Sequence, residues 1–165
     1  MTNWFSVVSK SPPRPPIRHM AAAGVGAFAA IVLLGALQDA SEHMWLMASF
    51  GASCLIVFAL SDSPLAQPRH VIGGHLVAAT TGLLVMQVLP VNMWSMALAV
   101  ALAIVLMLVT RTAHPPAGAN PLIVMAMGAS WDFLLLPVLL GAVILVLVAW
   151  VTHRINRVPY PKYWY

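Results

Sequence analysis

Long apolar runs dominate this chain, and polar residues are confined to the short stretches between them. Five runs contain no Lys, Arg, Asp or Glu, and each has about the 17–20 residues that a helix needs to cross the hydrocarbon core of a bilayer. They cover residues 20–37, 44–60, 71–89, 92–110 and 133–152. A sixth run, 117–130, is shorter. The pattern predicts an all-α transmembrane protein with six membrane crossings.

A ten-residue segment occurs twice within these runs. Residues 51–60 return 67 positions later as residues 118–127, with six of the ten residues identical. We interpret the duplication as two three-helix repeats, 20–89 and 92–153. Because each repeat contains an odd number of spans, the second must enter the membrane from the opposite side, which makes the repeats inverted copies. Chance similarity between two apolar stretches is the alternative.

The composition agrees with lipid as the solvent of this chain. It is 61% hydrophobic and 7% charged, whereas about 25% of the residues in a soluble protein are charged. We therefore divide the chain into three parts. A single transmembrane domain, 20–153, follows an N-terminal cytoplasmic or interfacial segment, 1–19, and precedes a cytoplasmic aromatic and basic tail, 154–165.

The charged residues predict the orientation of the protein. If all six runs cross and the N-terminus is cytoplasmic, every basic residue lies on the cytoplasmic side, as insertion favours. These residues are Lys10, Arg14, Arg18, Arg69, Arg111, Arg154, Arg157 and Lys162. The net charge of +4 is thus a topology signal and not a nucleic-acid surface. We expect an integral protein of a bacterial inner membrane with both termini in the cytoplasm. Were 117–130 re-entrant instead, the chain would cross five times.

Residues typical of helix starts interrupt the fifth crossing. Asn120 is a preferred N-cap, and Pro121 suits the first helical position because proline lacks the N–H that would be unpaired there. Pro115 and Pro116 favour extended backbone before them. The pattern predicts a discontinuous helix near 114–120, with an extended entry and a short helix behind it.

The first repeat carries a weaker form of the same signal. Ser53 aligns with Asn120 and is also a preferred N-cap. We therefore expect a second discontinuity near 50–53, although Cys54 stands where the other repeat has proline. A serine bonded back to its own helix inside a continuous span is the alternative.

Two short helices in inverted repeats would point their N-termini at each other near the bilayer midplane. Helix N-termini present free N–H groups and a partial positive charge, so together they would bind a small anion without a buried lysine or arginine. The predicted binding residues are Gly51, Ala52, Ser53, Pro115, Pro116, Gly118, Ala119 and Asn120. His75 and His114 are expected beside them, as hydrogen-bond donors to the anion or as proton carriers. A structural hydrogen bond from each histidine to a carbonyl is the alternative.

Polar residues at the cytoplasmic ends of the third and fourth spans form a second group. Gln67, Arg69 and Arg111 are predicted to line a vestibule, where the two arginines raise the local concentration of the anion. The alternative is that both arginines are only orientation signals.

The chain carries few of the patterns that other chemistries require. Its single cysteine, Cys54, excludes an internal disulfide and a cysteine-built metal cluster, and no two histidines are four apart on one helix. We therefore expect no metal and no cofactor. A membrane-embedded enzyme is disfavoured, because His75, His114 and Asp132 would be its only plausible catalysts. A structural or assembly subunit of a larger membrane complex is the main alternative function.

Two motifs carry a family likeness. Residues 114–122 read His-Pro-Pro-Ala-Gly-Ala-Asn-Pro-Leu, and residues 63–75 read Ser-Pro-Leu-Ala-Gln-Pro-Arg-His-Val-Ile-Gly-Gly-His. Over roughly 18–152 the chain resembles the HPP family of integral membrane proteins. That family is usually described as having four spans, which differs from six crossings. Some members are associated with nitrite transport across plastid and cyanobacterial membranes, so the resemblance implies a transporter of nitrite or a similar small anion, with both motifs near the pathway.

The leading functional hypothesis is a passive or weakly coupled transporter of a small inorganic anion, with nitrite preferred. Its partners would be the anion, the lipid bilayer and a second copy of the chain. Six short spans leave little protein between the pathway and lipid, and stretches of small residues allow close helix packing, so a homodimer is expected.

Overall fold

The structure is a computed structural model that describes residues 13–41 and 43–164, and every regular element in those residues is helical. The six α-helices are α1 (Ile17–Asp39), α2 (Ala48–Cys54), α3 (Pro68–Val88), α4 (Met93–Val109), α5 (Asn120–Met127) and α6 (Leu140–Ile155). Shorter 3-10 turns cover Pro64–Ala66, Pro115–Ala119 and Trp131–Leu134, and π-helical turns cover Leu55–Ala59 and Leu135–Leu139. Most of the predicted interfacial segment, 1–19, lies outside the described residues.

Several of the helices have the length and surface of membrane spans. Three are apolar and long enough to cross a bilayer: Ile17–Asp39, Pro68–Val88 and Trp131–Ile155. Helices Ala48–Ala59 and Met93–Val109 are shorter but also apolar. Val109 on α4 is 74% exposed, and many other large hydrophobic side chains also point outward, as lipid permits. An all-helical membrane architecture is therefore confirmed, while the six crossings and the inverted repeats stay predictions.

Several helix starts follow local sequence signals. Ser63 caps the turn Pro64–Ala66 by accepting a backbone N–H at 3.2 Å, and α3 begins at Pro68. α4 begins with a capping box, in which the Asn92 side chain accepts from the Ser95 N–H and the Ser95 hydroxyl accepts from the Asn92 N–H. The short link before α4 makes α3 and α4 antiparallel neighbours, and the two helices pack together.

The discontinuity predicted near 50–53 is wrong. α2 begins at Ala48 and continues through Cys54 without a break. The Ser53 hydroxyl donates to the Ser49 carbonyl oxygen at 2.9 Å, which is the bond that a serine inside a helix can make to its own backbone. Since no proline removes a backbone donor from this segment, neither its glycine nor its serine is enough to end the helix.

The discontinuity predicted near 114–120 is present, with two corrections. The backbone is extended at His114, but Pro115–Ala119 forms a 3-10 turn and not the expected extended entry. α5 then begins at Asn120, so this residue is the first of the helix and not its cap, and its side chain points towards α3. Proline accounts for the break because it removes backbone donors and restricts the residue before it.

α3 lies at the centre of the packing, in contact with α4, α5 and α6. Two of its glycines allow a close approach of the backbone. A Cβ at Gly74 would lie 2.7 Å from the His114 Cβ, and a Cβ at Gly82 would lie 2.8 Å from the Pro121 Cα. The segment from His114 to Pro121 therefore lies directly against α3, and this contact positions the candidate site.

Candidate functional site

Four polar side chains are buried together in the otherwise apolar centre of the protein. They are Ser53 on α2, His75 on α3, His114 before the 115–119 turn and Asn120 on α5, and each is at most 1% exposed. We call these four residues the histidine cluster. Burial of a polar group is costly unless the group is hydrogen-bonded, so the partners of each atom decide what the cluster can do.

Direct hydrogen bonds join the members of the cluster. The Ser53 hydroxyl lies 3.0 Å from His75 Nε2 and 2.8 Å from His114 Nε2. The Asn120 Nδ2 donates to His75 Nδ1 at 2.9 Å and to the His75 carbonyl oxygen at 3.1 Å. At the other end, His114 Nδ1 donates to the Leu65 carbonyl oxygen at 2.8 Å. The bonds form one continuous chain from Asn120 to Leu65.

Close packing against α3 holds the two imidazole rings beside each other. Because Gly74 has no side chain, the backbone at His114 can approach α3, and the ring centroids of His75 and His114 are 5.2 Å apart. On the α2 side, the Phe50 ring meets the His75 ring edge-on, with the ring centroids 4.9 Å apart. The rings are therefore held in place by apolar packing as well as by hydrogen bonds.

Each copy of the duplicated segment contributes one member to the cluster. Ser53 and Asn120 occupy equivalent positions in the two copies, and both contact His75. Of the predicted site residues, the fold thus brings together Ser53, Asn120 and both histidines, His75 and His114.

The other predicted binding residues are not members of the cluster. Gly51 and Ala52 lie inside α2 on its exposed face. Their N–H groups bond within the helix, so the predicted cradle of free amides is wrong for this copy. The rest lie in the 3-10 turn Pro115–Ala119: Pro115 is exposed, Pro116 is buried, and Gly118 and Ala119 are half-buried.

Gln67 is fully buried and does not line a vestibule, which corrects that prediction. Its Nε2 donates to two carbonyl oxygens of the loop 61–63 at 2.9 and 3.0 Å, and its Oε1 accepts from the Lys162 backbone N–H at 2.8 Å. The Tyr160 hydroxyl donates to the Ala66 carbonyl oxygen at 2.9 Å, and burial raises the pKa of this phenol. The C-terminal tail therefore fastens the loop whose carbonyl ends the cluster's hydrogen-bond chain.

Arg69 reaches the C-terminal end of α4. Its guanidinium donates from Nε to the Arg111 carbonyl oxygen at 3.2 Å and from Nη2 to the Thr110 carbonyl oxygen at 3.0 Å. A cation there is favourable because the last carbonyls of a helix carry partial negative charge. Arg69 thus has a structural role, Arg111 is exposed, and an anion vestibule formed by the two stays a prediction.

Sequence reasoning missed Ser49. Within the described part of the chain, two buried side-chain atoms lack a hydrogen-bond partner, Ser49 Oγ and Asn120 Oδ1. Ser49 is 1% exposed and lies one turn before Ser53 on the same face of α2. Two serines four apart in an apolar run were a usable signal, because that spacing places both on one helix face.

The described residues contain no group of three or more His, Cys, Asp or Glu side chains that could hold a metal ion. Asp132 is exposed and accepts a hydrogen bond from the Ser130 hydroxyl, not from a cluster residue. The histidine cluster itself offers hydroxyl, amide and imidazole donors, and its two imidazoles can take up protons.

Comparison with known proteins yields relatives over nearly the whole chain. The model of the HPP transmembrane region matches residues 12–161. Two transmembrane proteins of Dictyostelium discoideum are 36% and 34% identical to the chain, and each match covers 94% of it. The matches cover 59% and 54% of the relatives, so the chain spans little more than half of their length. No solved structure matches the chain.

Proposed function

This chain belongs to the HPP family of transmembrane proteins, and from that premise we propose that it transports a small inorganic anion, preferably nitrite, across a membrane. The histidine cluster is the proposed binding site, with Ser49 beside it. The observation that carries the proposal is the burial of four hydrogen-bonding side chains from separate segments at one point inside an apolar membrane protein. Ionisable and polar residues at membrane depth are costly, and they usually mark a transport pathway.

The chemistry of the cluster favours an anion over a cation. None of its four members is a carboxylate, and all of them can donate a hydrogen bond. A small anion can therefore replace some of the bonds that the donors now make to one another. No lysine or arginine belongs to the cluster, so no permanent charge would hold the anion too tightly for release.

The described conformation encloses the cluster, so transport requires segments that move. Two irregular segments flank it, the π-helical turn Leu55–Ala59 after α2 and the 3-10 turn Pro115–Ala119 before α5. Irregular backbone at membrane depth is tolerated where it is buried in protein or lines a cavity, and π-helical turns are frequent at functional sites. In our proposal these two segments open the cluster alternately to the two sides of the membrane.

The pattern of helix packing supports the inverted-repeat part of the proposal. α1 packs on α6 and on the turn Leu55–Ala59, whereas α4 packs on α3 and α5. If α1 corresponds to α4 and α3 to α6, each of these contacts has a counterpart in the other repeat. A two-fold axis in the membrane plane would relate the two repeats and would pair their contacts in this way.

The proposed setting is a bacterial inner membrane, with both termini in the cytoplasm and two copies of the chain in a homodimer. Basic residues support the orientation, and small surface residues support self-association. A cysteine placed at Arg157 should react with a membrane-impermeant reagent from the cytoplasmic side alone. Labelling from the opposite side would contradict the six crossings, and a monomer in native gels and cross-linking would contradict the homodimer.

The test of the function is anion flux into proteoliposomes that contain the full-length protein. Nitrite should enter faster than it enters protein-free vesicles. Asn120→Leu should remove most of this difference, because it leaves His75 Nδ1, a buried acceptor, without its donor. Such a loss costs about 1–3 kcal/mol, which corresponds to a fall in flux of about fivefold to about 150-fold.

Asn156→Leu is the matched control, since the side chain of this exposed asparagine donates to the Thr152 carbonyl oxygen at the end of α6 and bonds to no cluster residue. Equal flux through the wild type and Asn120→Leu would contradict the site. No flux of nitrite, nitrate or formate would contradict the function.

A further inference from the structure

We infer that the histidine cluster takes up one proton with each anion that it binds, so that anion and proton cross the membrane together. The inference rests on the proposed transport function and specifies that anion transport is coupled to proton transport. Its basis is the arrangement of hydrogen-bond donors and acceptors around the Ser53 hydroxyl.

The bonding partners decide which ring nitrogens carry a hydrogen. His114 Nδ1 faces the Leu65 carbonyl oxygen, which can only accept, so this nitrogen carries one. The Asn120 Nδ2 donates both to the His75 carbonyl oxygen and to His75 Nδ1, so His75 Nδ1 is an acceptor. A neutral His75 ring therefore carries its hydrogen on Nε2 and donates it to the Ser53 oxygen.

Ser53 has one hydroxyl hydrogen but two acceptors within reach. The Ser49 carbonyl oxygen is 2.9 Å away, and His114 Nε2 is 2.8 Å away. With both rings neutral, the hydroxyl can fill only one of these two contacts. With a proton added at His114 Nε2, the hydroxyl donates to the Ser49 oxygen and accepts from both rings. Every short contact then contains a hydrogen, so the geometry accommodates one proton more than the neutral rings carry.

The added proton places one positive charge in a buried position. An unpaired charge there is unfavourable, and a monovalent anion at the same place offsets it. Each ligand therefore raises the affinity for the other, because coupling between two bound ligands is reciprocal. On uptake, the proton binds His114 Nε2 and the Ser53 hydroxyl turns to the Ser49 carbonyl. On release, the proton leaves with the anion and the hydroxyl turns back, so no charge remains on the protein.

The surrounding elements supply no buried acid that could replace the anion as counter-charge. α6 and the turn Trp131–Leu134, which pack on α3, carry His153, Arg154 and the exposed Asp132. The other titratable or basic residues are Cys54 on α2, Arg69 and His70 on α3, and Arg111 before the 3-10 turn 115–119. α5 and that turn carry none. The nearest acid along the chain from the Leu65 carbonyl is Asp62, which is exposed and paired with Lys162 at 2.9 Å.

Proteoliposomes containing the full-length protein test the coupling, with nitrite and nitrate as probes and an internal pH-sensitive dye. Protein-free vesicles measure how fast nitrous acid crosses the lipid without the protein. The anion starts at equal concentrations on both sides, and the outside pH is set one unit below the inside pH. The anion should then accumulate inside the vesicles by about tenfold, which is the ratio expected when one proton crosses with each anion. A potential set with potassium and valinomycin should leave the rate unchanged, because no net charge moves.

The outcomes separate this inference from the proposed function. Anion flux without proton movement, or flux that follows the membrane potential, would overturn the coupling and leave the transport function in place. No flux of either anion under any gradient would overturn both.

His114→Gln gives a second test that does not depend on the transport rate. Glutamine cannot take up the proton, so the number of protons moved per anion should fall well below one in the flux that remains. Ser53→Ala, which removes the shared hydroxyl, should lower this ratio as well. His70→Gln is the matched control, since His70 bonds to the Ala113 carbonyl oxygen outside the cluster, and its ratio should equal that of the wild type. An unchanged ratio in both cluster variants would overturn the inference.

Discussion

The two copies of the duplicated segment, 51–60 and 118–127, share six of their ten residues but have different backbones. The first copy begins inside α2 and passes into a π-helical turn. The second begins in a 3-10 turn, and its α-helix starts only at Asn120. The second copy is preceded by two prolines and contains a third, whereas Ala48, Ser49 and Cys54 stand at the matching positions of the first. The comparison shows that proline, and not glycine or a potential capping residue, decides which of the two segments has an interrupted helix.

The two copies nevertheless deliver a polar side chain to the same place. Ser53, inside a continuous helix, and Asn120, at the start of one, both contact His75. Asn120 reaches His75 because α5 packs against α3, and Ser53 reaches it from α2, which packs on the turn Pro115–Ala119. Neither contact requires that the helix begin at that residue. Equivalent positions in a repeat can thus keep a common contact while the local backbone differs.

The largest expected effect comes from introducing the proline of the second copy at the matching position of the first, Cys54. Cys54→Pro removes a bond in the interior of the helix and clashes with the preceding turn, which costs about 3 kcal/mol or more. We expect a large fall in the thermal unfolding temperature of the detergent-solubilised protein. Pro121→Ala is the matched control and should have a much smaller effect, because proline in the first turn of α5 replaces a donor that is unpaired anyway. Equal effects would indicate a helix start near 53.

Gly74 and Gly141, which are separated by the same 67 residues as the two copies, offer a second, smaller contrast. A methyl group added at Gly74 would lie 2.7 Å from the Thr112 carbonyl oxygen, whereas one added at Gly141 would meet the far edge of the Phe50 ring. Backbone cannot move aside as a ring can, so Gly74→Ala should lose about 1–3 kcal/mol of stability, and Gly141→Ala less. Gly24→Ala, where no described atom outside its own helix backbone lies within 4 Å of the added carbon, is the control. Thermal unfolding and nitrite flux measure the effects, and a milder effect at Gly74 than at Gly141 would contradict the backbone contact.

The smallest expected effect concerns Ser49, which lies just before the first copy as Pro116 lies just before the second. Ser49→Ala removes a buried hydroxyl without a partner among the described residues, so stability should stay unchanged or rise by up to about 1 kcal/mol. The nitrite concentration for half-maximal flux should rise, because Ser49 is a proposed donor to the anion. Ser63→Ala, which removes a cap, should instead lower stability by about 1 kcal/mol and leave that concentration unchanged. A stability loss at Ser49 equal to that at Ser63 would show that its hydroxyl is bonded in the protein.

The sequence alone was sufficient for much of this fold. The lengths of the apolar runs predicted membrane helices, and the prolines predicted the break near 114–120. These features depend on solvent and on neighbouring residues, which a sequence shows directly. The break near 50–53 was wrong because a serine or glycine that suits a helix start is also compatible with a helix interior.

The sequence by itself determined that this protein is a membrane protein and that Ser53 and Asn120 stand at matching positions of a duplicated segment. Only the tertiary structure decided that these two residues meet His75 and His114, that Gly51 and Ala52 do not, and that Gln67 fastens the C-terminal tail. The physical reason is that run length, composition and capping act locally. Contacts between segments far apart in the chain depend on helix packing, here on the close approach that Gly74 permits against the backbone before α5.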